Sequence, residues 1–134
     1  MSASGGGKPV KVEDAMTEEV LTITPERSLR DAARFMTEHN VGAAVIMDPE
    51  QPGPGIITER DLVRSLGKGE NPDSEHVKDH LTSKAAFADC EWSLESAADA
   101  MAEGGFRHLV VVRGGDIAGI ISMRDIMHVW RPDS

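Results

Sequence analysis

Short apolar blocks separated by polar and turn-forming residues run along this chain, and their spacing predicts alternating strands and helices. Val20–Ile23 and Ala43–Met47 are short runs of β-branched and small apolar residues, which are typical of buried strands. Between them, residues 29–38 place Leu, Ala, Phe and Met at helical spacing, and Ser28 precedes them as a candidate N-cap. We expect Asn40 and Gly42 to end that helix.

The following blocks predict a turn, a strand and a second helix. Residues 48–54 are rich in proline and glycine, and no regular element tolerates such a segment. Gly55–Ile57 is predicted to be a strand, and Thr58–Leu66 the helix that follows it. Near the N-terminus, Val12–Met16 has the length of a single helical turn.

One seven-residue string occurs twice. It is Gly-Ile-Ile-Thr-Glu-Arg-Asp at residues 55–61 and Gly-Ile-Ile-Ser-Met-Arg-Asp at residues 119–125. Similar blocks precede both copies, since Val45–Met47 aligns with Val110–Val112 at an offset of 65 residues. The second copy also contains Gly114-Gly115, which predicts a hairpin turn. The order strand, helix, strand, strand, helix therefore repeats, and we expect the two small copies to pack together.

These patterns divide the chain into two repeats and three polar segments. A Gly/Ser-rich stretch at the start is predicted to be a flexible tail, and a second polar stretch is predicted to be the linker between the repeats. The predicted boundaries are 1–11 for the N-terminal tail, 12–66 for the first repeat, 67–74 for the linker, 75–130 for the second repeat and 131–134 for the C-terminal tail.

Composition narrows the class of protein. Acidic residues outnumber basic ones 23 to 14, and the net charge of −9 argues against binding to a nucleic-acid duplex. A small phosphorylated ligand is still compatible, because a few local arginines can override the global charge. Cys90 is the only cysteine, so we expect no internal disulfide and a reducing, cytoplasmic location. No apolar run is long enough for a membrane span.

The duplicated string has two interpretations when it is taken alone. Thr58 and Ser122 suit helix N-caps, and Asp61 and Asp125, three residues later, complete a capping-box pattern. The two carboxylates could therefore simply neutralise the positive end of a helix dipole. Alternatively, each carboxylate has two acceptor oxygens and could hold both hydroxyls of a vicinal diol.

The ordered set of motifs resembles the CBS domain, and its duplication resembles a tandem CBS pair, or Bateman module. The matching motifs are Asp-Ala-Met-Thr at residues 14–17, the two strings at 55–61 and 119–125, and Arg-His-Leu-Val-Val-Val at 107–112. The resemblance implies a mixed α+β or α/β fold, with two βαββα repeats packed by pseudo-two-fold symmetry into one module. It further implies an adenosine-containing ligand in clefts between the repeats.

The resemblance assigns roles to residues of this chain. Asp61 and Asp125 would hold the ribose, and Thr58 and Ser122 would meet a phosphate at the helix starts. Arginines would add positive charge, and the adenine would lie between the short apolar strands, with backbone groups reading the base edge. The full set of nucleotide-binding residues is Ile23, Ala44, Ile57, Thr58, Arg60, Asp61, Ala88, Arg107, His108, Leu109, Ile121, Ser122, Arg124 and Asp125. Gly42 aligns with Arg107, so the first repeat lacks that arginine.

Function and partners follow as expectations from the same resemblance. We expect a non-catalytic regulatory sensor of AMP, ADP, ATP, S-adenosylmethionine or NADH, without a cofactor and with an unknown downstream protein. We also expect a homodimer, through apolar residues of the two helices that follow the duplicated strings. These residues are Leu62, Val63, Leu66, Ile126, Met127, Val129 and Trp130.

Two other functions stay open. The chain could be a ligand-free dimeric scaffold or a stress-related interaction protein. It could also be a metal-assisted hydrolase that uses histidines, because His76 and His80 are spaced for one helical face. We expect no metal site, however, since no third ligand is evident near these histidines in the sequence.

Overall fold

The structure, a computed structural model, describes residues 10–81 and 85–129. The predicted C-terminal tail and most of the N-terminal tail lie outside these residues. The elements occur in the order α1 (Val12–Ala15), β1 (Thr22–Ile23), α2 (Leu29–Glu38), β2 (Ala43–Ile46), β3 (Gly55–Thr58), α3 (Glu59–Gly67), a 3₁₀ turn (Val77–Asp79), β4 (Phe87–Asp89), α4 (Leu94–Gly104), β5 (His108–Arg113), β6 (Asp116–Ser122) and α5 (Met123–Val129).

This order confirms the predicted mixed fold with two βαββα repeats. The predicted elements lie within one or two residues of the observed ones. The hairpin turn at Gly114-Gly115 is also confirmed, and both glycines have the positive φ that such a turn requires.

The residues group into two compact units. The first unit is Val20–Ala85, and the second unit joins the residues up to Glu19 to those from Ala86 onward. Each unit contains one three-stranded sheet, in the order β1-β2-β3 or β4-β5-β6. In both sheets the first pair of strands is parallel and the second pair is antiparallel.

The first unit is built on α2 and its sheet. Ser28 caps α2, because its hydroxyl accepts a hydrogen bond from the Asp31 N–H at 3.1 Å. Asn40 follows the helix in the left-handed conformation, with φ of 55°, as expected for a residue that stops a helix. The apolar face of α2 covers one face of the sheet. The buried core consists of Ile23, Leu29, Ala32, Ala44, Ile46, Ile57 and Val77.

The second unit repeats this plan with α4. Ser93 caps α4 by accepting from the Ser96 N–H at 3.0 Å, and Gly105 ends the helix at a φ of 73°. The buried core consists of Val12, Ala88, Cys90, Leu94, Ala97, Met101, Leu109, Val111, Ile121 and Ile126. Cys90 is thus a packing residue of this core.

The boundaries of the compact units differ from those of the sequence repeats. The first segment of each repeat is buried in the core of the unit that contains the other repeat's sheet. Val12, at the start of the first repeat, is fully buried in the second unit, and its N–H donates to Trp92 O at 2.8 Å. Val77, at the aligned position of the second repeat, is fully buried in the first unit, and its N–H donates to Arg27 O at 2.8 Å. Neither core is therefore complete within one repeat.

This exchange predicts a large effect from a small change near the start of the chain. Val12→Ala should lower the free energy of unfolding by about 2 kcal/mol, because it removes two buried methyl groups and leaves a cavity. Val10→Ala is the matched control: Val10 is 39% exposed, and its replacement should change stability by less than about 0.5 kcal/mol. Urea unfolding measures both values, and equal losses would contradict the described core.

Candidate functional site

The duplicated string forms the junction between β3 and α3 in the first unit. The Thr58 N–H donates to Asp61 Oδ2 at 2.8 Å, and the Thr58 hydroxyl donates to the same oxygen at 3.1 Å. The carboxylate therefore folds back over the helix start, as the capping-box pattern predicts. Asp61 is half-buried, and its Oδ1 makes no hydrogen bond within the part of the chain that the structure describes.

The junction between β6 and α5 in the second unit has a related geometry. The Ser122 N–H donates to Asp125 Oδ2 at 2.8 Å, and the Asp125 N–H donates to the Ser122 hydroxyl at 3.0 Å. Asp125 is half-buried too. Among the described residues the Ser122 hydroxyl does not donate to Oδ2, so this oxygen carries one hydrogen bond from the protein and not two.

The two carboxylates therefore differ in what they can still accept. A carboxylate offers about four acceptor positions over its two oxygens. Asp61 has two of them occupied, whereas Asp125 has one occupied. Both keep Oδ1 for an external donor within the described residues, and Asp125 keeps a position on Oδ2 as well.

The predicted apolar residues lie in the cores. Side chains alternate along a strand, and Ile57 faces α2 while its neighbour Thr58 faces the other way. Each is buried in the core of its own unit, so none of these side chains shares a surface with Thr58 or Ser122. Their assignment to a ligand site stays a prediction, and only their backbone groups could serve it. The six residues are Ile23, Ala44, Ile57, Ala88, Leu109 and Ile121.

The strand register identifies further residues on the sheet faces that carry Thr58 and Ser122. Val45 and Ile56 are paired across β2 and β3 and share the face of Thr58. In the second unit, Val110 and Ile120 are paired in the same way on the face of Ser122. The positions of Ile56 and Ile120 could have been read from the sequence, because a residue two positions before Thr58 or Ser122 on the same strand shares its face.

An exposed aromatic residue lies on that same face of the second unit. Phe87 on β4 is 43% exposed and pairs with Val110 on β5. The first-unit residue at the aligned position is Thr22, which pairs with Val45. His108 on β5 is half-buried and lies directly opposite Ser122 in the register.

The three predicted arginines lie at the surface, and the charge around the two junctions differs. Arg60, Arg107 and Arg124 are all exposed. The Met123 N–H donates to Arg107 O at 2.9 Å, and the Glu59 N–H donates to Gly42 O at 3.0 Å, so Arg107 and Gly42 are structural equivalents.

Because Gly42 has no side chain, the Glu59 carboxylate can lie directly against its backbone in the first unit. A Cβ placed on Gly42 would lie 2.6 Å from Glu59 Oε1, which shows that the Glu59 carboxylate covers this glycine. The junction of the first unit therefore carries Glu59, Arg60 and Asp61. The junction of the second unit carries Arg107, Arg124 and Asp125, so its net charge is positive.

The predicted dimer residues separate into exposed and buried ones. Val63 and Leu66 on α3 are 65% and 58% exposed, and Met127 on α5 is 61% exposed. Val129 is partly exposed and Leu62 is half-buried against the first core. Ile126 corrects the prediction: it is 1% exposed because it faces the second core. Trp130 lies outside the described residues.

Among the described residues, no helix is both long and apolar enough to cross a membrane.

The comparisons with known proteins agree with this fold. The CBS domain family model matches residues 12–68 and 77–131. An uncharacterized 17.7 kDa protein of Acidianus ambivalens is 34% identical over 87% of this chain and 70% of its own length. A CBS-domain-containing protein of Agrobacterium tumefaciens is 31% identical, with a TM-score of 0.80 over 91% of this chain and 94% of its own.

A CBS domain protein of Pyrobaculum aerophilum, solved in complex with AMP, shares the fold. Its TM-score is 0.75 at 23% identity, over 87% of this chain and 89% of its own. The duplicated strand–helix junctions, the two sheets and the two matched segments together show that this chain belongs to the CBS domain family, as a tandem pair of CBS domains.

Proposed function

We propose that this chain is a non-catalytic regulatory module that binds an adenosine-containing ligand, such as AMP, ADP, ATP or a related adenosyl compound. One observation carries the proposal. Each unit holds a half-buried carboxylate at a strand–helix junction, fixed through Oδ2 by a backbone N–H at 2.8 Å, with Oδ1 left for an external donor within the described residues.

The capping interaction supports this role. A carboxylate that is already held by its helix loses little rotamer freedom when a ligand arrives, so less of the binding energy is spent on ordering. The hydroxyls of a ribose are donors that can reach such a group, and each charge-assisted hydrogen bond contributes about 1.5–3 kcal/mol. Helix capping and ligand binding are therefore compatible uses of the same side chain.

The second unit is better suited to a phosphorylated ligand. Asp125 keeps more acceptor positions than Asp61, and the exposed guanidiniums of Arg107 and Arg124 can pair with phosphate oxygens. In the first unit, the Glu59 carboxylate lies over Gly42 and would repel a phosphate there. We therefore assign the nucleotide to the second unit and, at most, an uncharged nucleoside moiety to the first.

Phe87 extends this site. It is an exposed aromatic side chain on the sheet face that also carries Ser122 and His108, and a purine base can stack on such a ring. The AMP complex of the Pyrobaculum aerophilum protein supports the choice of ligand class, because it is a module of the same fold that holds AMP. Regulation would follow if the ligand bound two states of the module with different affinity.

Asp125→Asn tests the assignment of the ribose contact. The amide oxygen of asparagine can still accept the capping hydrogen bond, but its NH₂ group cannot accept a ribose hydroxyl. We expect calorimetric titration with AMP to show binding to the unchanged protein and a loss of about 10- to 150-fold in affinity for Asp125→Asn. Asp61→Asn should change the affinity for AMP much less.

The matched control is Asp14→Asn. Asp14 caps α1 in the same way, because its Oδ2 accepts the Lys11 N–H at 2.9 Å, but it lies outside both junctions. Its replacement should leave the affinity for AMP unchanged. If all three variants bind AMP equally, or if none of the adenosyl ligands gives heat or a shift in Tm, the proposal is wrong.

The sugar of the ligand provides an independent test. Because two hydroxyls are proposed to share one carboxylate, 2′-deoxy-AMP should bind roughly tenfold or more weakly than AMP. The same measurement on Asp125→Asn should show little difference between the two nucleotides, since the discriminating group is gone. Equal affinities of the unchanged protein for AMP and 2′-deoxy-AMP would place the sugar elsewhere.

A dimeric scaffold is the second candidate function, and the exposed apolar residues of α3 favour it. Val63 and Leu66 are apolar and lie more than half exposed on one helix of the first unit. An apolar helix face of this kind is typical of an interface with another copy or another protein. The scaffold and the sensor are compatible, because a dimer can also bind a ligand.

Leu66→Asp tests the dimer. Light scattering after gel filtration should give twice the chain mass for the unchanged protein and a monomer for the variant, because a buried aspartate would disfavour the interface. Met47→Asp is the control, since Met47 is 52% exposed in the same unit but lies outside α3. A monomeric unchanged protein, or a dimer that survives Leu66→Asp, would exclude this face as the interface.

A further inference from the structure

Three possible metal ligands meet in the first unit, away from the β3–α3 junction. One carboxylate oxygen each of Glu70 and Glu75 and a ring nitrogen of His80 all lie within 4.8 Å of one another. His80 Nε2 is 2.7 Å from Glu75 Oε1 and 3.9 Å from Glu70 Oε1. The three side chains are partly buried, with exposed fractions of 33%, 30% and 16% for Glu70, Glu75 and His80.

The backbone fixes where these side chains start. The Glu70 N–H donates to Ser65 O at 3.2 Å, just beyond the end of α3. Glu75 O accepts the Leu29 N–H at 3.0 Å, which ties the segment after the predicted linker to the first turn of α2. His80 follows the 3₁₀ turn, and its N–H donates to Val77 O at 3.0 Å. The three positions therefore belong to anchored parts of one unit.

A buried serine holds the first carboxylate in place. Ser65 is 2% exposed and is the one buried polar residue in the described part of the chain. Its hydroxyl donates to Glu70 Oε1 at 2.6 Å. Hydrogen bonds from outside the ligand set are what orient the ligands of metal sites in proteins. Ser65 therefore has the position of a residue that supports a ligand without touching the ion.

The charges of the cluster are not balanced by any basic side chain. Within the described residues, Glu70 and Glu75 form no ion pair with a lysine or arginine, and the ring nitrogen beside both carboxylates belongs to His80. Two carboxylates that converge on one ring nitrogen repel each other unless a positive charge lies between them. A proton on His80 can supply one charge, and a divalent ion would supply two.

We propose that Glu70, Glu75 and His80 form a binding site for a divalent transition-metal ion. Imidazole nitrogen and carboxylate oxygen are both ligands of Zn²⁺, at about 2.0–2.2 Å, so two ligand atoms around a tetrahedral ion lie about 3.3 Å apart. The observed separations of 2.7 and 3.9 Å lie on either side of that value, and side-chain rotation alone can adjust them. The ion would take the place of the proton between His80 and Glu75.

The cluster does not use the histidine pair that the sequence suggested. The spacing of His76 and His80 suggested a helical pair, but only Val77–Asp79 is helical, and His76 is exposed and outside the cluster. The partners of His80 are glutamates five and ten residues before it. A bound ion would link the end of α3 to the segment that carries Val77, and would therefore stabilise the first unit.

The test is a titration of the full-length, untagged protein with Zn²⁺ after removal of metals by a chelator. We expect one ion per chain, and a Tm raised by roughly 5–10 °C at a hundredfold excess over Kd. His80→Ala and Glu75→Gln should each weaken binding at least tenfold, since each removes a ligand. His76→Ala is the matched control and should bind Zn²⁺ as the unchanged protein does.

The variants are compared first in chelator, where equal circular dichroism spectra establish that all of them fold. The proposal is overturned if Zn²⁺ at about 100 μM gives neither heat nor a shift in Tm. It is also overturned if His80→Ala and Glu75→Gln bind as tightly as the unchanged protein, or if His76→Ala is the variant that loses binding. Because the site is independent of Asp61 and Asp125, none of these outcomes depends on the nucleotide titrations.

Discussion

The burial of two valines, Val12 and Val77, is the constraint on which the two cores depend. Each valine is fully buried in the core of one unit, and each comes from the repeat that does not supply that unit's sheet. The backbone reinforces the exchange, because both valines also donate their N–H groups to the loops before α2 and α4. The tandem arrangement is therefore a requirement for either core to be complete.

The capped junctions show how one side chain can satisfy a structural need and still be available for chemistry. Oδ2 of Asp61 and Asp125 accepts the N–H that begins each helix, and this fixes the orientation of the whole carboxylate. The second oxygen is then held at a defined place without any further cost in side-chain entropy. The choice between helix cap and ligand contact, which the sequence left open, is therefore not exclusive.

Much of the fold could be predicted from the sequence because its signals are local. Helical spacing, serine caps and proline-rich turns determine the elements over short windows, and the duplicated string at 55–61 and 119–125 revealed the repeat. It was harder to predict which face of its strand or helix an individual side chain lies on. Ile57 and Thr58 are both predicted to serve the nucleotide site, and the strand register places these neighbours on opposite faces of the sheet. The resemblance to CBS pairs placed Ile126 in a dimer interface, whereas its side chain is buried in the second core.

The parts that could not be predicted depend on contacts between residues distant in sequence. Residues 67–74 have the composition of a loose linker, yet Arg30 forms an ion pair with Asp73, and the Arg30 N–H donates to Pro72 O at 3.1 Å. Composition cannot report such contacts, because they arise only once α2 is in place. The meeting of Glu70 and Glu75 with His80 was hidden for a related reason: these residues are only five and ten positions apart, but the chain between them is held by hydrogen bonds to α2 and does not form a continuous helix.

The exchange of segments also has a consequence for synthesis of the chain on the ribosome. The first unit needs nothing beyond Ala85, and can close as soon as Val77 has emerged. By contrast, α1 is made before the first unit, but the sheet on which it packs begins only at Phe87, some 75 residues later. At translation rates of about 5–20 residues per second, α1 waits for roughly 4–15 s with its apolar side unprotected. This early segment is thus among the last of the described elements to acquire its native neighbours, and this interval is when a chaperone would have most to bind.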